Sequence, residues 1–576
     1  MLNKYYLQEL QRLRDIAAEF ARENPAIAPM LEEPSADPDV ERLLEGVAFL
    51  TGSLREKLDD EFPEIIHDLL RQIWPQYLRP QPAATLIAFT PEEKISQTIC
   101  IPEGVYVESV PVDGTVCKFR ISSDVDLHPM SIQSVDYEEP PGKNPLIRVS
   151  FRLNGCHVTR FKPKRLSVHL GGNYKDASDL YLRLNRGLKE IRIQAQGEET
   201  YCRLGPEHLQ PMGFSPQEAL MPWPTNSFEG YRLIQEYFIM PEKFLFVDIT
   251  GWDHWHPKKE TCDFHIEFIL TDQGNGEPKP GMKSFVLATT TAVNIFPHEA
   301  VPVTIDHRKT EYPVRPAGDG LDKYQIFTID KVSGFVHGTS NPVDLKPFHS
   351  FSARDYAYVY HENVKKNPIR ESVDFSISLA YQPGKGIPEL KNLSFDIFCS
   401  NGFLPEALRE GDICTPTPKT LESVTLKNIR KPTVAALPPL GSENLWRLTS
   451  LMTLNHLSLT RAENLRTLLK LFLMEGHRDR KNNLINERRI KGILDLKTKP
   501  VDRLVRGTMI RGLDIRMTLS QSHFAGPGDV YLFGSMLDRF LAMYASINTF
   551  TRLTIKETDS GETWTWPERM GDQPLM

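Results

Sequence analysis

The sequence predicts an α+β, multidomain protein with an N-terminal α-helical segment, central antiparallel β-sandwich-like domains and a C-terminal mixed α/β domain. Three observations carry this expectation. Apolar residues recur at helical spacing through the first 80 residues, the period changes to two from Thr85, and helical spacing returns after a proline-rich stretch at 414–440. At 576 residues the chain also exceeds what one core serves, because cores stop growing at about 250–300 residues and longer chains divide into domains. The expected division is 1–82, a helical segment and partner-bundle candidate; 83–320, a β-rich domain; 321–435, a second β-rich domain or insertion; and 436–576, a C-terminal α+β domain.

The first helix carries Tyr6, Leu10, Leu13, Ala17 and Phe20 on one stripe and breaks at Pro25 and Pro29. A second opens at Asp37-Pro38, an N-cap followed by proline at the first helical position. It continues through Val40, Leu43, Leu44, Val47, Thr51, Leu54 and Leu58 to Phe62. Pro63 starts a third, with Ile66, Leu69, Leu70 and Ile73 inward, and Pro75, Pro80 and Pro82 end helical structure. Beyond Thr85, LIRVSFRL alternates Ile147, Val149, Phe151 and Leu153 with polar residues, and VDFSISLAY does the same from Val373 to Tyr381. Turn signals such as Pro102-Glu103-Gly104 and Gly171-Gly172-Asn173 space the strands closely, as antiparallel sandwiches require. After Pro438 and Pro439, Thr460 and Glu463 read as a capping box ahead of Leu465, Leu468, Leu469 and Phe472. The last 60 residues pair a strand-like RGLDIRMTLS with a helical YLFGSMLDRFLAMYASI.

Composition narrows the function classes. The formal charge of −7 lies wholly in residues 1–80, with 9 basic against 16 acidic side chains, while the remainder balances. Residues 478–516 hold 12 basic and 5 acidic side chains, an asymmetry suited to an acidic partner unless it is a solvated helix face with basic loops. Seven scattered cysteines with no CxxC pair argue against a disulfide framework or a zinc site. No signal-peptide core and no apolar span of about 20 residues occurs, so a cytoplasmic location without membrane insertion is expected.

No catalytic fingerprint is present. His298-Glu299 lacks a second histidine, and Gly274 and Gly276 sit in a polar turn, so both read as loops. The densest candidate metal constellation is Asp253, His254 and His256 with His265 and Glu267. In TCDFHIEFIL, however, Cys262, Phe264, Ile266, Phe268 and Leu270 make a buried face, so Asp263, His265 and Glu267 are what any solvent face carries, and no metal is expected. The carboxylates Asp59, Asp60 and Glu61 lie at a helix end with nothing to form a cleft. Aromatic loops around Trp223, Trp252 and Trp255 suggest an alternative, a carbohydrate-binding or carbohydrate-active β-sandwich in which exposed indoles stack on sugars.

Several ordered blocks carry a family resemblance. DPDVERLLEGVAFLTGSLREKLDDEFPE (37–64), IWPQYLRPQPA (73–83), YRLIQEYFIMPEKFLFVDI (231–249), NIFPHEAVPVTIDH (294–307), LTSLMTLNHLSL (448–459) and GDVYLFGSMLDRFLAMYASINTFTRL (528–553) together resemble the TssF (VasA/ImpG) family of type VI secretion baseplate subunits. The resemblance implies a structural wedge component with no catalytic residue or cofactor, in the cytoplasm and associated with a membrane-docked secretion complex. It implies as partners a TssG-like subunit, a second copy of the chain, a TssK-like adaptor, and TssE-like, VgrG-like hub and sheath components, with no nucleic acid. The amino-terminal helices then become candidates for a shared bundle, with Tyr6, Leu10, Leu13, Phe20, Leu43 and Leu54 as apolar anchors.

Overall fold

A computed structural model describes residues 2–23, 38–59, 63–92, 95–224, 227–271, 279–306, 308–318, 323–336, 342–348, 358–367, 370–381, 390–417, 424–440, 461–473, 478–505 and 508–571. Asp37, Thr460, Gly274, Gly276 and the 448–459 block lie outside them, as do Pro25, Pro29, Asp60 and Glu61. Eight α-helices are described: α1 (Leu2–Glu23), α2 (Pro38–Asp59), α3 (Pro63–Ile73), α4 (Tyr174–Gly187), α5 (Glu229–Ile239), α6 (Ala462–Lys470), α7 (Arg480–Lys491) and α8 (Pro527–Met543). The chain divides into two compact units, one built on residues 1–70 and the other on residues 71–439 and 450–576. The mixed α+β class that the spacing predicts is the observed one.

In the larger unit the alternating stretches are strands, and their apolar residues point inward. Leu146–Leu153 buries Ile147, Val149, Phe151 and Leu153. It lies in an antiparallel five-stranded sheet beside Asp263–Leu270 and Met130–Glu138, with Leu188–Ala195 and Cys202–Leu204 beyond. A six-stranded antiparallel sheet gathers Ala84–Pro91 between Thr289–Val293 and Val424–Asn428. Its core is Ile87, Phe89, Val107, Phe119, Ile121, Ile413 and Leu426. An eight-stranded sheet pairs Phe296–Glu299 and Tyr312–Val314 with Leu390–Ser400 and Val373–Tyr381, so its pairing runs across position 320. His298, expected in a loop, is therefore in a strand, with its ring Nε2 2.8 Å from the Ala317 carbonyl.

The carboxy-terminal sheet owes its form to α8. Thr508–Leu519 and Thr549–Glu557 run parallel, and parallel neighbours need a crossover, which α8 supplies between them. This helix is mostly apolar, with Asp529, Asp538 and Arg539 as its charged residues, and is buried on nearly every residue, as a core helix is. It approaches α4 so closely that a Cβ on Gly528 would lie 2.2 Å from the Ser178 backbone. Ahead of the β region, Trp74 stacks within 5 Å of Tyr77, Tyr231 and Phe472 and fixes the segment that follows α3.

His169 lies in the strand Leu166–Leu170, 1% exposed, with its ring 4.6 Å from that of Phe246. Burial first, then the nearby Arg430 charge, pushes its pKa down to about 3. Because the folded value lies below the unfolded value of about 6.5, this histidine contributes stability above that pH, and the contribution is lost as pH falls below it. At about pH 5 the loss amounts to roughly 2 kcal/mol, at 1.36 kcal/mol per pH unit. Denaturation at about pH 7.5 and pH 5 is expected to show a stability drop smaller by that amount in His169→Leu than in the parent.

Candidate assembly interface

In the amino-terminal unit α1 and α2 pack as an antiparallel hairpin. Gly52 sets the closest approach, since a Cβ there would lie 3.0 Å from the Tyr6 backbone nitrogen. At the other end Arg14 Nε donates to Glu41 Oε1 at 3.0 Å. Between these points Leu10, Ala48 and Gly52 are buried, and Tyr6, Leu13 and Ala17 are half-buried. The stripe read from the sequence on α1 is thus consumed largely within the hairpin. Gly and Ala at the contact let the backbones approach, which leaves little room for large side chains between them.

The large apolar residues of α2 consequently point elsewhere. Leu43 is 68% exposed and Leu50 65%, and Val47 between them is also exposed, so spacings of four and three put all three on one helical face. Leu54 continues that face by spacing; it lies in α2, and its side chain is outside the described residues. On α1, Leu7, Ile16 and Phe20 are exposed as well, and Phe49 adds to α2. Of the six anchors named from sequence, Leu10 is therefore internal, Tyr6 and Leu13 are shared with the hairpin, and Phe20 and Leu43 are outward. Leu7, Ile16, Phe49 and Leu50 lie off the single stripe that the spacing predicts on each helix, because α1 and α2 are apolar on two faces; Val47 is on the predicted stripe of α2 and is exposed. Single exposed leucines need no explanation, but a run along two adjacent helices makes this face a candidate interaction surface.

The other candidates resolve differently. Trp252 and Trp255 are buried, not exposed, because their loop folds back onto Phe161 and Phe264 in edge-on and tilted contacts of 5.3–6.3 Å. The Trp252 indole N–H is satisfied by the Ile249 carbonyl at 2.8 Å, and Trp223 is half-buried. Trp252 and Trp255 are core, which removes them as a surface for sugar stacking. Trp252→Ala is expected to destabilise the larger unit by about 3–5 kcal/mol, read as a lower unfolding midpoint; an unchanged midpoint would contradict the core assignment.

The histidine region holds no joint ligand set. Asp263 and Glu267 stand opposite Arg152 and Arg148 across the strand register and pair with them at 2.7 and 2.8 Å. His265 lies 3.8 Å from Glu267, and burial lowers its pKa. His254 faces the Gly251 carbonyl at 3.2 Å, and His256 is exposed. Among the described residues no group of three metal-ligating side chains converges.

The sequence reading also missed two buried ionic networks, each with residues in the quoted blocks. In α5, Arg232 and Glu236 are one turn apart, and Glu236 Oε2 accepts from Arg232 Nη1 at 2.9 Å and Lys243 Nζ at 2.7 Å. Arg232 Nη2 and Lys243 Nζ also donate to the Phe214 and Gly213 carbonyls. Burial lowers the Lys243 pKa, with Glu236 opposing. In the second network Asp529 of α8 accepts Arg489 Nη2 at 2.9 Å, Tyr174 Oη at 2.6 Å and Tyr237 Oη at 3.0 Å. Burial, together with the Asp529 charge, raises both tyrosines well above their usual pKa. The signal available was a charge inside an otherwise apolar helical run, as in YRLIQEYFIM and DVYLFGSML.

Known proteins match over this whole architecture. The family described as "Type VI secretion system, TssF" matches residues 1–573. The "Type VI secretion system component TssF1" of Pseudomonas aeruginosa is 29% identical over 631 aligned positions, covering 100% of this chain and 99% of that protein. A chain of the TssK-TssF-TssG baseplate subcomplex solved by cryo-electron microscopy superposes with a TM-score of 0.78 at 29% identity, over 92% of this chain and 99% of its own. A chain of the type VI secretion system baseplate complex has a TM-score of 0.67 at 24% identity over all of both chains, a likeness of fold. With helical hairpin, sheets and buried networks all inside the matched span, this chain belongs to the TssF family of type VI secretion system baseplate components.

Proposed function

We propose that the chain is a non-catalytic wedge subunit whose amino-terminal helices complete a helical bundle with a subunit similar to TssG. The carrying observation is the pair of uncovered apolar faces on α1 and α2, with Leu7, Ile16, Leu43, Phe49 and Leu50 each at least half exposed. Two features favour a helical partner. The outward leucines of α2 follow helical spacing, and helices bury such stripes against other helices. The solved relative in the TssK-TssF-TssG subcomplex supports partners of the TssG and TssK kind.

The finer assignment extends the same reading. Residues 1–82 serve assembly, while the β-rich parts 83–320 and 321–435 and the carboxy-terminal part 436–576 form the rigid body that holds wedge geometry. A second copy, a TssE-like subunit, a VgrG-like hub and the sheath are the remaining neighbours, in a cytoplasmic complex docked at a membrane. Among the described residues no helix is long and apolar enough to cross a membrane. Signal transmission then proceeds by rigid-body movement of the wedge, since packed cores shift as units. Co-expression with subunits similar to TssG and TssK, followed by size-exclusion chromatography, tests the reading. A stable hetero-complex is expected, and elution as separate components at micromolar concentration would overturn it.

A further inference from the structure

Helix α7 is inside out. Its inward arc is polar: Asn482 and Asn486 both donate through Nδ2 to the Phe238 carbonyl, at 2.9 and 3.0 Å, and Arg489 reaches Asp529. Ile490 is the one aliphatic side chain on that arc that is buried. The outward arc carries Leu484, 50% exposed, and Ile485, 41% exposed. At 3.6 residues per turn, Leu484 falls between Lys491, roughly 20° to one side, and Arg488, roughly 40° to the other, with Arg480 and Lys481 just beyond. Glu487 is the single acid on this arc.

The outward cations are weakly committed. Lys491 lies 3.6 Å from Glu487 in an exposed pair, and such pairs contribute little. Arg488 donates to the Ser522 carbonyl at 3.1 Å, which leaves its charge uncompensated. Among the described residues, no ion-pair partner is seen for Arg480 or Lys481. A helix that spends its buried face on asparagines and an arginine, and sets two aliphatic side chains among four cations outside, departs from the usual amphipathic pattern. Such departures concentrate at sites of interaction.

We propose that the outward face of α7 docks an acidic amphipathic helix of a partner protein. Carboxylates of that helix meet Arg480, Lys481, Arg488 and Lys491, and its apolar stripe covers Leu484 and Ile485. A protein helix fits better than the other anionic surfaces. Phosphate backbones gain nothing from two aliphatic side chains, and an interfacial membrane helix needs a long apolar face, whereas here the opposite arc is fixed by hydrogen bonds to the fold. Twelve residues of helix span about 18 Å, enough for three turns of a partner helix. The site is carried by α7 and by no residue of α1 or α2, so the proposal stands or falls independently of the amino-terminal bundle.

The test is site-specific photocrosslinking with Leu484→p-benzoylphenylalanine in the full chain, in cells assembling the secretion complex, with the adduct sequenced. The expected adduct is one defined peptide in which Asp or Glu alternates with Leu, Ile or Val at helical spacing. The charge-reversal pair Arg488→Glu and Lys491→Glu is expected to cut its yield by about tenfold, as loss of steering charges does, without changing the unfolding midpoint. Reversing the partner's carboxylates should restore it. No adduct, adducts scattered over unrelated peptides, an adduct to lipid or nucleic acid, or a yield indifferent to charge reversal would each overturn the proposal.

Discussion

Replacing Leu43 and Leu50 together with aspartate is expected to abolish co-purification with a TssG-like subunit while leaving the rest of the chain folded. Both side chains are about two-thirds exposed, at 68% and 65%, so aspartate there meets water and disturbs no packing within the hairpin. In a bundle each leucine contributes about 1.5–3 kcal/mol by burial, and the introduced carboxylates add a desolvation cost. A loss of roughly 4 kcal/mol or more corresponds to a dissociation constant weakened by about a thousandfold. Leu10→Asp is the instructive contrast. Leu10 is 8% exposed and packs inside the hairpin, so its replacement breaks α1 from α2 and loses the partner for a different reason. Circular dichroism separates the two cases: helical signal is kept in the Leu43 and Leu50 variant and falls in Leu10→Asp.

The second large effect lies in the Arg489 and Asp529 network. Arg489→Met leaves a carboxylate that is 1% exposed without its counter-charge, and breaking a buried pair this way costs about 3–5 kcal/mol. Asp529→Leu strands the arginine instead, and also removes the acceptor for Tyr174 and Tyr237 hydroxyls and for the Ala525 amide, so it is expected to cost more. Removing both charges together is expected to destabilise by less than the sum of the singles, by about 1–3 kcal/mol, because neither charge is then left alone. Unfolding midpoints of the four proteins measure this. Strict additivity would show that the pair is not coupled. The network ties α4, α5, α7 and α8 at one point, so its loss should loosen the packing of these four helices before the sheets of the middle region.

What the sequence makes legible follows from periodicity. Strands such as Leu146–Leu153 can be read because buried residues alternate with more exposed ones, and α8 because its run is largely apolar; in Asp263–Leu270 the alternation holds only as far as Ile266, and Glu267, expected on a solvent face, is buried with Ile269. Strand partners cannot be read this way: Ala84–Pro91 pairs with Val424–Asn428, and nothing local to either encodes the other. The same limit explains the indoles. Trp252 and Trp255 sit among histidines and prolines that resemble an exposed loop, and only the tertiary return onto Phe161 and Phe264 buries them. It also explains much of the basic stretch at 478–516. Arg478, Arg489 and Arg503 are matched by Glu371, Asp529 and Glu568, acids far away in sequence, so the charge excess on the surface is smaller than the count suggests. On α1 and α2 apolar spacing is satisfied on two faces, and only packing says which of them Gly52 and Ala48 take up and which stays exposed.

The central claim is that α1 and α2 are covered by a helical partner, and hydrogen–deuterium exchange of the chain alone and with a TssG-like subunit tests it most directly. Coverage predicts exchange slowed by about tenfold or more in peptides spanning residues 2–23 and 38–59, with strands such as Leu146–Leu153 unchanged. Equal exchange of both helices with and without the subunit, in a sample where the two proteins are bound, would contradict it.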